Sequence, residues 1–196
     1  MCGSIEKSQE VFDGLSTRNV VSWTILIGGY IDHGRYEESF GLLEKMHQEG
    51  ISPNVLTHIR MLKACGCLGS IERGNDIHSA VVRYGLEREL LVGNALIDMY
   101  ARCGELAKAQ KVLEMLATPD IVSWNTLIAG YAQCNKYNEA FNAFQKMQGE
   151  GLSPDKITYS SILKVCGNSK SIEKGEQILH SFNTHPRNRL LAHMEP

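Results

Sequence analysis

The chain repeats itself at an offset of 101 residues, and that periodicity restricts its fold more than any single motif. Val20-Val21-Ser22-Trp23-Thr24-Ile25-Leu26-Ile27-Gly28-Gly29-Tyr30 returns as Ile121-Val122-Ser123-Trp124-Asn125-Thr126-Leu127-Ile128-Ala129-Gly130-Tyr131. The match runs on through Tyr36 and Tyr137, Phe40 and Phe141, and Lys45-Met46 and Lys146-Met147. It closes on Glu49-Gly50-Ile51-Ser52-Pro53 and Glu150-Gly151-Leu152-Ser153-Pro154. About 16 of the 35 positions are identical. Leu62-Lys63-Ala64-Cys65-Gly66 pairs with Leu163-Lys164-Val165-Cys166-Gly167 at the same offset, and Ser70-Ile71-Glu72 with Ser171-Ile172-Glu173. Several unlike stretches sharing one offset mark a tandem-repeat protein.

A finer grid lies inside. Trp23, Leu26, Ile27 and Tyr30 sit at i, i+3, i+4 and i+7, as do Trp124, Leu127, Ile128 and Tyr131. His58, Met61, Leu62 and Cys65 follow the same rule, and so do Tyr159, Ile162, Leu163 and Cys166. That spacing is one stripe of an α-helix. A second stripe follows each first one, as in Tyr36, Phe40, Leu43 and Tyr137, Phe141, Phe144. Gly50 to Pro53 and Gly151 to Pro154 read as helix stops, and nothing reads as a strand. Helix pairs are expected near 21–33 and 35–49, 57–67 and 71–84, 91–102 and 105–116, 123–134 and 136–150, and 158–166 and 171–182. The units are 20–54, 55–89, 90–120, 121–155 and 156–190, with 1–19 the second helix of a further unit. The pattern degenerates after about residue 183, and 191–196 is a tail. The first unit starts at its second helix, so the chain is expected to be a piece of a longer array. One helix pair cannot bury both its faces, whereas stacked pairs can. The expected fold is therefore an all-α solenoid.

Composition narrows the function. A formal charge of −2 is unlike a protein that grips nucleic acid mainly through phosphates. Any nucleic-acid binding must then rest on specific contacts. No stretch approaches the roughly 20 apolar residues of a membrane helix, so no membrane partner is expected. Cys65 and Cys67 are the one close cysteine pair. With no second pair at metal spacing they read as small near-core thiols, and no metal or cofactor is expected.

The alternation of 35-, 35- and 31-residue units resembles the plant-type pentatricopeptide-repeat family, which alternates standard, long and short repeats. Val-Val-Ser-Trp, Leu-Lys-Ala-Cys and Gly-Asn-Ala-Leu-Ile-Asp-Met-Tyr-Ala-Arg-Cys-Gly, in register at residues 20–23, 62–65 and 93–104, carry the resemblance. By this likeness 20–54 and 121–155 are standard repeats, 55–89 and 156–190 long, and 90–120 short. The resemblance implies sequence-specific binding of single-stranded RNA, about one base per repeat. It also implies a mitochondrial or chloroplast setting, with RNA processing or C-to-U editing as the context. The N-terminus itself has no transit-peptide character.

In the family the fifth and last residues of a repeat face the base edge, and the second clamps the base. Carried over, Thr24 with Asn54 favours adenine. Asn94 with Asp120 and Asn125 with Asp155 favour uracil. Val21, Leu91 and Val122 are the clamping residues. Ile59 with Glu89 and Ser160 with Leu190 match no clear member of that code. Read without the family, Asp120 and Asp155 are helix caps or turn residues, Trp23 and Trp124 are core, and Lys63 and Lys164 are exposed lysines.

No reaction is expected of this chain. A zinc deaminase needs His-x-Glu and Pro-Cys-x-x-Cys. His47-Gln48-Glu49 matches the first half alone, and its repeat partner is Gln148-Gly149-Glu150. A deaminase or editing factor would act in trans. The competing expectation is a protein-binding scaffold of the tetratricopeptide kind. The near-neutral charge favours it, and the 35/35/31 alternation speaks against its 34-residue period.

Overall fold

The computed structural model describes residues 5–169. They form ten helices and no strand: α1 (Ile5–Asp13), α2 (Val20–Asp32), α3 (Tyr36–Gln48), α4 (Val55–Leu68), α5 (Ile71–Arg83), α6 (Leu90–Arg102), α7 (Leu106–Met115), α8 (Ile121–Gln133), α9 (Tyr137–Gly149) and α10 (Lys156–Ser169). The helix expected at 171–182 lies outside the described residues.

The helices fall into two compact units, divided between Pro119 and Asp120. In the first, α2 packs on α3, α4 on α5 and α6 on α7, while α2, α4 and α6 also pack on one another in succession. In the second, α8 packs on both α9 and α10. Within each unit the first helices of successive hairpins pack on one another, the packing of an all-α solenoid.

The first helices begin one or two residues earlier than expected, and for α2, α4 and α8 the reason is that the residue ahead of each is a cap. Asn19, Asn54 and Asp120 accept hydrogen bonds from backbone N–H groups of the first turn. The hydroxyls of Ser22, Thr57 and Ser123 accept the cap's own N–H in return. Two N–H groups that no helical carbonyl reaches are satisfied at each start. At the far end of α3, Gly50 at φ 73° closes the last turn. Its N–H reaches the His47 carbonyl, and the Ile51 N–H reaches that of Met46. The left-handed turn between α2 and α3 uses Gly34, and Asn135 takes the matching place between α8 and α9 at φ 57°. Asn enters this region more readily than other side chains.

The stripes build the core. Trp23, Leu26, Ile27, His58, Met61, Leu62 and Cys65 are buried in the first unit, and Trp124, Leu127, Ile128, Tyr159 and Ile162 in the second. Some stripe residues depart from expectation: Tyr30, Tyr36, Phe40 and Tyr137 are half-buried, and Leu163 is exposed and Cys166 half-buried although their counterparts Leu62 and Cys65 are fully covered.

Candidate nucleic-acid interface

The second residue of every unit is an exposed aliphatic. Val21 is 56% exposed, Leu56 49% and Leu91 70% in the first unit of the fold, and Val122 51% and Ile157 62% in the second. Each lies in the first turn of a first helix, and a capping side chain holds that turn in all of them but α6. Burying such side chains would gain about 25 cal/mol per Å² of apolar area, and no described residue covers them.

Beside these residues lie the polar pairs. Thr24 is buried on α2. Its hydroxyl lies 2.7 Å from the Val20 carbonyl and 2.7 Å from the Thr57 hydroxyl on α4. Thr57 in turn donates to Asn54 Oδ1 at 2.9 Å, so it joins Thr24 to Asn54. The second compact unit repeats the arrangement. Asn125 Nδ2 donates to Asp155 Oδ1 at 3.0 Å, and Thr158 Oγ1 stands 2.6 Å from Asn125 Oδ1. Thr24 and Asn125 are buried, whereas their partners Asn54 and Asp155 are half-exposed. Burial works against ionisation of Asp155, but the Thr158 backbone N–H, the Asn125 amide and the Thr158 hydroxyl outweigh it. Its carboxyl is held below the usual carboxylate range.

Asn94 is half-buried on α6 in the first compact unit, while Asp120 caps α8 in the second. Ile59 is half-buried, and Glu89 precedes α6 with no side-chain cap bond. Ser160 is exposed, and Leu190 lies outside the described residues. The bridging hydroxyls at Thr57 and Thr158 are not among the residues anticipated. Their signal is a Ser or Thr at the third place of four units, Ser22, Thr57, Ser123 and Thr158.

Trp23 and Trp124 are core, and their indole N–H groups donate to Glu49 and Glu150. Glu49, the acidic end of His47-Gln48-Glu49, also pairs with Arg18 at 2.8 Å. Lys63 Nζ holds Asp32 at 2.9 Å, a carboxylate that Arg60 approaches at 3.1 Å. Cys65 and Cys67 point to different sides of α4, one buried and one exposed, as a separation of roughly 200° round a helix requires. Among the described residues no group of three or more His, Cys, Asp or Glu side chains is placed to hold a metal ion.

Two-helix hairpins whose first helices pack on one another within each compact unit, with an apolar residue exposed in the first turn of each first helix, define a tandem-repeat α-solenoid. The sequence profile of the PPR repeat family matches residues 18–67 and 119–168, and a second PPR repeat profile matches 94–117. The chain belongs to the pentatricopeptide-repeat family. Among its relatives is a chloroplastic pentatricopeptide repeat-containing protein of Arabidopsis thaliana, 36% identical over 92% of this chain and 29% of the relative. Another chloroplastic one from the same plant is 40% identical over 83% of this chain and 31% of its own length. A mitochondrial one is 33% identical over 90% and 26%. The chain therefore spans about a quarter to a third of these relatives. Among solved structures, the pentatricopeptide repeat protein PPR10 in complex with an 18-nt psaJ RNA element matches with a TM-score of 0.79. Its identity is 21%, over 95% of this chain and 28% of that one. Nuclear proteinaceous RNase P 2 of A. thaliana matches at 0.65 and 14% identity, over 86% and 39%. At these identities the likeness is one of fold.

Proposed function

We propose that this chain binds single-stranded RNA base by base, within organellar RNA processing or editing-site recognition, and carries out no reaction itself. The observation that carries the reading is the exposed aliphatic residue set beside a hydrogen-bonding pair. A nucleobase has an apolar face and a polar edge, and this pairing complements both. Val21, Leu91 and Val122 clamp the base. Thr24 with Asn54, Asn94 with Asp120, and Asn125 with Asp155 read its edge. The repeats are standard at 20–54 and 121–155, long at 55–89 and 156–190, and short at 90–120.

The relatives support the reading: PPR10 was solved with RNA, and the curated relatives include chloroplastic and mitochondrial proteins. A deaminase or other editing factor would then act in trans. No helix among the described residues is long and apolar enough to cross a membrane.

A salt titration of binding to single-stranded RNA tests this. The logarithm of affinity falls with that of salt at about −0.7 per phosphate neutralised. A chain of net charge −2 that binds through base contacts should show a shallow slope and prefer some RNA sequences over others. Absent binding, or equal binding to every sequence, would favour the protein-scaffold reading.

A further inference from the structure

We propose that the hydroxyls of Thr57 and Thr158 are positioning groups that set the base preference of the pair beside each. The proposal rests on the RNA reading above and adds to it a residue from the following repeat.

Counting protons carries the argument. Thr158 Oγ1 has one proton and two neighbours that only accept, Asn125 Oδ1 at 2.6 Å and Asp155 Oδ1 at 2.9 Å. Asp155 Oδ1 already receives the Thr158 backbone N–H at 2.9 Å and Asn125 Nδ2 at 3.0 Å. Asn125 Oδ1 has the shorter contact, and the proton belongs there. The Asn125 amide is then fixed at both ends, carbonyl toward Thr158 and NH2 toward Asp155. Rotating it by half a turn would set its carbonyl against a carboxylate. What remains for a base is one N–H and one lone pair, in a set orientation.

Thr24 is held differently. Its single proton goes to the Val20 carbonyl or to Thr57, each at 2.7 Å. Either way the proton is spent inside the protein, and Thr24 keeps only lone pairs to offer a base. One reading position therefore offers acceptors alone, and the other a donor beside an acceptor. Thr57 and Thr158 are both fully buried, so they act on the base through their neighbours. The unit that carries Ile59 and Glu89 supplies a contrast. The third residue after Glu89 is Val92, with no hydroxyl, and Glu89 makes no side-chain cap bond.

The test is competition binding of the whole chain to RNAs that differ at the base read by one pair. Thr57→Val should lower the preference at the Thr24–Asn54 base by about fivefold, the worth of one neutral hydrogen bond. Preference at the Asn125–Asp155 base should be unchanged. Thr57→Ser, which keeps the hydroxyl, should restore it. Thr158→Val and Thr158→Ser should give the mirror-image result and stand in if Thr57→Val does not fold. An equal loss of affinity for all RNAs with both preferences intact overturns the proposal, because a purely structural hydroxyl would act that way. Failure of Ser to restore preference also overturns it. Wild-type protein that binds with no base preference would overturn the base-reading account and this proposal together.

Discussion

The Trp23 indole donates to Glu49 at 3.2 Å, and 101 residues on Trp124 donates to Glu150 at 3.1 Å. In both hairpins the bond ties the first turn of the first helix to the residue that ends the second. Trp23 is buried against Phe12, with ring centroids 4.6 Å apart, so its N–H has little access to water. Glu49→Ala leaves that donor unpaired and is expected to cost about 1–2 kcal/mol, a fall in melting temperature of about 2–8 °C. Glu49→Gln, which keeps an acceptor but weakens the Arg18 ion pair, should cost less. Equal losses for the two variants would show that the Arg18 contact, and not the indole bond, holds the hairpin.

Cys65 and Cys67 should differ in reactivity. Burial, with a smaller contribution from Cys103, pushes the Cys65 thiol up to about 12. The thiolate is the reactive species, so Cys65 should resist iodoacetamide in the native protein at pH 8, while exposed Cys67 is labelled. Mass spectrometry of labelled peptides measures this. Rapid native labelling of Cys65 would contradict its place in the core.

Stability should fall as pH drops below neutrality. Burial lowers the pKa of His58 against a hydrogen bond to the Asn54 carbonyl, and lowers that of His78 as well. The unfolded chain then takes up protons first, near the ordinary histidine value of about 6.5. Stability conferred by the neutral rings is complete above that value and is lost as pH falls through the folded-state pKa values. A second loss should follow at lower pH, where Asp155 and Asp32 protonate. Both have depressed pKa values, Asp32 chiefly through its hydrogen bond from Lys63. Urea unfolding from pH 7.5 to 5 should show declining stability, and a flat or rising profile would contradict the buried neutral imidazoles.

The hairpins were legible because repetition and helical spacing are local properties of the chain. The stripe from Trp23 to Tyr30 predicts a helix over 21–33, and α2 runs from Val20 to Asp32. The stripe predicts a start for α4 at residue 57, and the helix starts at Val55. An apolar stripe marks the buried face, whereas Asn54 and Thr57, which set the start, are polar. Asn54, Asp120 and Asp155 can be read as caps or as base contacts, and the structure places each at the head of a helix with its side chain on a first-turn N–H. The link from Thr24 to Thr57 spans 33 residues. It exists only once α2 has packed on α4, so no local pattern discloses it.

The base-reading account is tested most directly by exchanging one pair for another. Thr24→Asn with Asn54→Asp gives the first standard repeat the residues of the second. Thr57 already stands where Thr158 does, so the whole Asn–Thr–Asp arrangement is reproduced. Wild-type protein should prefer RNA of the pattern A-N-U-U-N, written 5′ to 3′ along the repeats from N- to C-terminus. The double variant should prefer U at the first base. A good base-edge contact contributes on the order of 1–3 kcal/mol, so the ratio of affinities for the two RNAs should shift by about tenfold or more. An unchanged ratio would make Thr24 and Asn54 members of a structural cap alone and would contradict base reading by this pair.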